Sequence, residues 1–167
     1  MPEQETLRRA KEDKREGKAP STQAGEFIRE EMHHIREGKH GARNTKQAIA
    51  IGLSKARRAG VKLPPPKRGK TSDRSRRSAE LAYEEGQSKR KPKSPSKKRS
   101  RAIHAVLEHE GKSAASHKSL SKQAHSAARQ RSAADRHEAA MKAVRTKGHE
   151  GLSRAAKKAA RTRSRER

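Results

Sequence analysis

Two aromatic side chains, Phe27 and Tyr83, and no tryptophan are spread over 167 residues. Aromatic rings contribute the largest apolar areas to protein cores, so a chain with so few of them cannot build the wide interior of an ordinary enzyme. The aliphatic residues do not compensate, because hydrophobic residues amount to 28% against 38% charged. Low hydrophobicity combined with a formal net charge of +26 is the composition of chains that order only in part. The expected fold class is all-α: a small helical hairpin plus short Ala/Lys/Arg-rich helices joined by disordered linkers, with no large common core. Catalysis needs a rigid site that excludes water, and this chain has no evident means of making one. A non-enzymatic protein is expected.

The absence of cysteine excludes disulfides, thiolate zinc sites and cysteine nucleophiles. The longest apolar run, at 48–51, falls far short of the ~18 residues that span a bilayer. No apolar leader follows Met1. A cytoplasmic protein with no membrane partner is the expectation. In a eukaryotic host, the basic run at 89–93 would also read as a nuclear-import patch.

Charge divides the chain. Residues 1–63 carry 15 Lys and Arg against 9 Asp and Glu, residues 64–100 carry 13 against 4, and residues 101–167 carry 17 against 6. Pro64, Pro65 and Pro66 cannot continue a helix and stiffen the chain, so a boundary is placed there. Four segments follow: a charged N-terminal helix (1–20), a helical hairpin domain (21–63), a Pro/Ser/Lys/Arg-rich linker (64–100) and a basic Ala/Ser/Lys/Arg-rich tail (101–167). Within the first, Leu7 is the sole large apolar residue of 2–17, which therefore reads as a solvated surface helix ended by Gly17 and Pro20.

The hairpin is better specified. Ser21 or Thr22 can cap a helix whose apolar positions Ala24, Phe27, Ile28, Met32 and Ile35 recur at helical spacing. Gly38 offers its stop. Asn44 or Thr45 caps a second helix running to about Ala59, with Gly60 as a left-handed terminator and Val61 packing back. On that helix Ala48, Ile49, Gly52, Leu53, Ala56 and Ala59 share one arc, while Lys46, Gln47, Ser54, Lys55, Arg57 and Arg58 share the other. Small residues at 48, 52 and 56 allow close approach of a neighbouring helix. With only eight large apolar side chains, the hairpin is expected to be marginal alone and to order fully with a partner.

Beyond the prolines, residues 72–86 suggest a short helix around Leu81, Ala82 and Tyr83. Residues 87–100 read as an extended linker. Ala102, Ile103, Val106 and Leu107 suggest an amphipathic turn or two ended at Gly111. The remainder repeats alanine pairs separated by Lys or Arg, which favours helix yet offers little to bury. Gly148 and Gly151 interrupt it.

The basic surface points to nucleic-acid phosphates, whose neutralisation releases counterions. The candidate contact residues are Lys46, Lys55, Arg57, Arg58, Lys89, Arg90, Lys91, Lys93, Lys97, Lys98, Arg99, Arg101, Lys157, Lys158, Arg161, Arg163, Arg165 and Arg167. Two isolated aromatics cannot form the stacking platform of a single-strand reader. A helix-turn-helix reading of 21–59 suffers from a connecting loop of about six residues, longer than the usual three to four, and from an acidic first helix bearing Glu26, Glu30, Glu31 and Glu37. A plain packing hairpin is the preferred reading. His33, His34 and His40, and likewise His104 and His109, lack the i,i+4 spacing that sets two ligands on one helical face. They are expected at the surface, and no metal or cofactor is expected.

Two resemblances follow. The stretch Arg36-Glu-Gly-Lys-His-Gly41, followed by Thr45-Lys-Gln-Ala-Ile-Ala-Ile-Gly-Leu-Ser-Lys-Ala-Arg-Arg-Ala-Gly60, resembles a bacterial family of small basic proteins of unknown function. That resemblance implies a bacterial cytoplasmic protein and brings no activity, cofactor or site residue. The tail is similar in composition to those of linker histones and bacterial histone-like proteins, and Lys93-Ser-Pro-Ser-Lys-Lys98 resembles a histone-tail turn suited to the minor groove. The resulting expectation is a nucleoid-associated, histone-like protein that binds duplex DNA with little sequence preference. Structured RNA or the ribosome is the alternative partner. A third possibility is a protein contact or self-association through residues 21–63.

Overall fold

The computed structural model describes residues 2–89 and 96–165, and all regular structure within them is helical. The helices are α1 (Gln4–Arg15), α2 (Pro20–Glu37), α3 (Thr45–Arg58), α4 (Asp73–Gly86), α5 (Lys97–His109), α6 (His117–Arg129) and α7 (Ala133–Arg165), with a 3-10 turn at Lys112–Ala115. The all-α expectation agrees with this. Two compact units are present, Met1–Gln123 and Ala124–Arg167.

Helices α2 and α3 form the predicted hairpin. Pro20 opens α2 at its first turn, where its fixed φ suits the helix and its missing N–H costs nothing; neither Ser21 nor Thr22 serves as the cap. Gly38 ends α2 in the left-handed conformation at φ 83°, and the Lys39 amide returns to the His34 carbonyl at 3.0 Å. Asn44 caps α3 by accepting from the Gln47 amide at 2.9 Å, while the Gln47 side chain accepts from the Arg43 amide at 3.0 Å. At the far end Gly60 is left-handed, and the buried Val61 donates to the Ala56 carbonyl at 3.1 Å. Gly52 lets the two helices close up: a Cβ there would stand 2.8 Å from the Ile28 Cα.

Two small clusters hold this hairpin. Ala10, Ala24, Phe27, Ala56 and Val61 form one, flanked by Leu7, Leu53 and Leu63. Met32, Ile35, Ala42, Ala48, Ala114 and Ala115 form the other, flanked by Ile28, Ile49 and Leu120. Both depend on segments outside the hairpin. Helix α1, expected as a solvated helix, instead packs on α2 and buries Thr6, Ala10 and Asp13. The reason is spacing: these positions recur at i+4 and i+3, so small residues replace large ones along a single buried face. Lys18 Nζ reaches Asp13 at 2.8 Å and the Gln23 side chain donates to the Lys18 carbonyl at 2.8 Å, which ties α1 to the start of α2.

Helix α4 lies on α3 with Ala82 fully buried, and Arg58 Nε meets Glu85 at 3.0 Å. Gln87 donates to the Gly60 carbonyl at 3.2 Å. The prolines at 64–66 thus lie inside the first unit, and the described part of 64–100 is not a disordered linker. The 3-10 turn closes the other end of the hairpin. Thr45 Oγ1 donates to the Ala114 carbonyl at 2.7 Å, and Arg36 Nε donates to the Ala115 carbonyl at 2.9 Å. The hairpin's covering therefore comes from its own chain. Ala114 and Ala115 had been read as part of a tail with nothing to bury; two methyl groups suffice where the helices leave a narrow gap.

The second unit has a different character. No residue of α7 is buried. Gly148, at φ 66° and ψ 170°, breaks α7 into two arms, as its glycine had suggested.

Candidate nucleic-acid interface and a buried charge cluster

The structure sorts the expected phosphate contacts into three sets. Lys55, Arg57 and Arg58 are engaged within the fold. Arg57 is buried, with Nε donating to the Leu63 carbonyl at 3.1 Å and Nη2 to that of Pro64 at 3.3 Å. Burial pulls its guanidinium below its ordinary value. Arg58 pairs with Glu85 and with Ser54 Oγ at 2.5 Å while its side chain stays 54% exposed, and Lys55 lies between two glutamates. On this arc of α3, Arg57 faces the 63–64 segment, Arg58 meets α4 and Lys55 meets the acidic face of α2, while Lys46 is exposed.

Exposed cations make up the second set: Lys46, Lys89, Lys97, Lys98, Arg99, Arg101, Lys157, Lys158, Arg161, Arg163 and Arg165. The third set, Arg90, Lys91, Lys93 and Arg167, lies outside the described residues, as does the Ser94-Pro95 turn. All twelve described Lys and Arg residues beyond Gln123 are exposed.

The last arm of α7 organises part of this charge. Arg154, Lys157, Lys158, Arg161 and Arg165 follow i, i+3, i+4, i+7 and i+11, which places them along one helical face. Ala155, Ala156, Ala159 and Ala160 fall on the opposite face. Among the described cations of this arm, only Arg163 departs from the stripe. At 1.5 Å per residue the stripe is about 16 Å long.

A contrasting cluster lies where α1, α2 and α3 meet. Glu31 is fully buried and Glu30 nearly so. Lys55 Nζ stands 2.7 Å from Glu31 Oε2 and 3.4 Å from Glu30 Oε1. His40, on the loop after α2, brings Nε2 to 3.2 Å from Glu31 Oε1, and its Nδ1 lies 3.1 Å from the Gly41 carbonyl. His34 Nε2 meets Glu3 Oε1 at 2.8 Å, and the Glu3 amide donates to Glu30 Oε2 at 3.1 Å. The His34 and Lys39 side chains, hydrogen-bonded to Glu3, hold its carboxyl below the usual carboxylate range. Glu37 and then Glu3 raise Lys39 in turn.

One ring nitrogen of His34, one of His40 and one Glu31 oxygen all lie within 4.8 Å of one another. The His34 and His40 side chains are 13% and 19% exposed, so the surface expectation fails for both, while His33 is exposed. The spacing test missed this group because it sought two histidines on one helix. The ligand-type atoms come instead from an i,i+3 pair, Glu31 and His34, and from a loop. A signal was present for Glu31, which lies four residues after Phe27 and four before Ile35 on the apolar stripe. Around this cluster, Glu3, Glu5, Glu26, Glu30 and Glu37, with Arg9, Arg29 and Lys39 among them, line a cleft of ≈ 240 Å³ between α1 and α2.

The start of α3, the recognition element of a helix-turn-helix reading, is partly covered. Thr45 is buried beneath Ala114 and Gln47 is half-buried, leaving Lys46 exposed. This placement agrees with a packing hairpin.

Fold and charge together define a strongly basic, all-helical protein; no helix among the described residues is long and apolar enough to cross a membrane. Residues 19–68 match the model of a family described as Family of unknown function (DUF6496). The matched span takes in α2, α3 and the turn between them, including the stretch at 36–60 that carries the resemblance. No curated protein and no solved structure matches the chain.

Proposed function

We propose that this is a non-enzymatic, nucleoid-associated protein of the bacterial cytoplasm that binds duplex DNA through its phosphates with little sequence preference. The observation that carries the reading is the cation stripe Arg154, Lys157, Lys158, Arg161 and Arg165 on a helix arm whose other face is alanine. Duplex DNA presents a charge every ~1.7 Å along its axis, so a ~16 Å stripe meets several phosphates without reading a base. Exposed Lys97, Lys98, Arg99 and Arg101 add a second group on α5. In the hairpin Lys55, Arg57 and Arg58 are engaged by groups of the first unit, so most of the affinity is assigned to α5 to α7. Helicity in the Ala/Lys/Arg arms is expected to be partial in free DNA-less solution and to rise as phosphates neutralise mutual repulsion.

Fluorescence anisotropy on a duplex over a salt series tests this. About 6–10 phosphate contacts give a log–log slope of roughly −5 to −9, and neutralising Lys157 and Lys158 to glutamine flattens it by about 2. Deleting residues 124–167 removes most of the affinity. A slope near zero, or affinity unchanged by the deletion, refutes the reading. Tighter binding to structured RNA than to duplex DNA at ~150 mM salt would make RNA the partner.

A further inference from the structure

We propose that Glu31, His34 and His40 form a binding site for a divalent transition-metal ion of the zinc type, built into the α2–α3 hairpin and independent of the basic tail.

Three ligand atoms of the right chemistry converge there within 4.8 Å: two imidazole nitrogens and a carboxylate oxygen. Imidazole selects Zn, Cu and Ni over Mg and Ca, and two histidines with one glutamate is a recurrent three-ligand set for Zn2+, leaving a fourth position for water. Bonds of about 2.0–2.2 Å require the ligand atoms to draw in by roughly 1 Å from their widest separation, which rotation of the two rings and of the 38–44 loop supplies.

Protonation chemistry points the same way. A carbonyl oxygen only accepts, so His40 Nδ1, 3.1 Å from the Gly41 carbonyl, carries the hydrogen. That orientation turns Nε2 toward Glu31 Oε1 at 3.2 Å. A carboxylate likewise only accepts, so His34 Nε2 donates to Glu3 at 2.8 Å. Each histidine thus donates one N–H to an oxygen, as ligating histidines characteristically do, the partner fixing the tautomer. Glu31 is fully buried, and the groups that face its two oxygens are Lys55 and His40. Lys55 Nζ lies on the Oε2 side at 2.7 Å, which leaves Oε1 for the ion.

The ion would tie the 38–44 loop to the middle of α2. That loop also holds the C-terminal end of α5, through the Gly41 amide and the Leu107 carbonyl at 2.7 Å, and the Gly111 carbonyl accepts from Ala42 at 3.3 Å. Metal binding would therefore stabilise the first unit as a whole.

The test uses the full-length, untagged protein without nucleic acid. Zn2+ binding is measured by competition with a chromogenic chelator, thermal unfolding is followed by circular dichroism, and Co2+ serves as a spectroscopic probe. The expected result is one saturable equivalent of Zn2+, a raised melting temperature, and a Co2+ visible spectrum of tetrahedral nitrogen–oxygen type. Glu3→Gln, which loosens the positioning of His34 and also releases Lys39, weakens binding about 10- to 100-fold. His40→Ala and Glu31→Gln weaken it further, and His33→Ala and His104→Ala leave it unchanged. His40 lies on a loop, and preserved far-ultraviolet dichroism of its variant establishes that the loss is of a ligand and not of the fold. No saturable binding, or His40→Ala binding as tightly as the parent, overturns the proposal.

Discussion

The units Met1–Gln123 and Ala124–Arg167 use nearly the same alphabet and put it to opposite ends. Alanine is the main buried residue of the first: Ala10, Ala24, Ala42, Ala48, Ala56, Ala82, Ala114 and Ala115 are all buried. The second is more than twice as rich in alanine and buries none. Alanine content alone does not decide burial. What separates them is a handful of large side chains around which small ones can close, chiefly Phe27 and Ile35, both fully buried, together with a glycine where two helices meet. An alanine contributes to a core only where a neighbouring backbone comes close enough to cover it. The first unit supplies that approach, whereas α7 offers its alanines to solvent opposite a stripe of cations.

The largest expected effect follows from Phe27. It sits fully buried at the junction of α1, α2 and α3, among Ala24, Ala56 and Val61. Phe27→Ala should cost about 3–5 kcal/mol, because the alanines around it cannot move in to fill the space. For a unit this small that exceeds half of an ordinary stability. Urea unfolding of the full chain would be expected to show the first unit's transition lost or shifted to very low denaturant. A loss below about 1 kcal/mol would mean that the cluster is loosely packed and that the contrast between the units is overstated.

A smaller effect, with a sign that discriminates, comes from a pair of helical glycines. Gly52 meets the Ile28 backbone, 2.8 Å from where a Cβ would lie, whereas Gly25 on α2 has nothing within 4 Å. Alanine is favoured over glycine in a helix by about 0.5–1 kcal/mol. Gly25→Ala should therefore stabilise by that amount. Gly52→Ala forces the helices apart and should destabilise by about 1–3 kcal/mol despite the same propensity gain. Chemical denaturation of the two variants side by side reads the difference, and equal stabilisation by both would refute the close approach.

How much of this was legible depended on whether a residue type announces its role. The hairpin was legible because Phe27, Met32 and Ile35 recur at helical spacing and Gly38, Asn44 and Gly60 mark its ends with distinct backbone chemistry. Helix α4 was legible from Ser72 and the residues around Ala82. Its docking on α3 was not, because Arg58 and Glu85 look like solvated charges until the fold sets them 3.0 Å apart. The cover formed by Ala114 and Ala115 carried no signal, since in sequence they resemble the exposed alanine pairs farther along. The charge cluster was half legible. Glu31 breaks an apolar stripe and could have been flagged as buried, but the arrival of His40 from a loop and Lys55 from another helix depends on the hairpin's geometry.

The smallest expected effect tests the second unit. Val144 and Met141 lie on the first arm of α7, 42% and 44% exposed, one turn apart. Residues that touch so little protein usually change stability by less than about 0.5 kcal/mol when truncated. Val144→Ala should accordingly leave the urea midpoint of the full chain in place and raise the helicity of the arm slightly, since alanine replaces a β-branched residue in an exposed helix. The informative outcome is the opposite one. A loss of 1 kcal/mol or more would require Val144 to be covered in solution, and the cover would have to appear on dilution as a concentration-dependent midpoint if it were a second copy of the chain. An effect independent of concentration would place the cover within the chain itself. Either result would remove the central contrast, because the arm would then bury apolar surface as the hairpin does; no change keeps α7 as a solvated scaffold for charge.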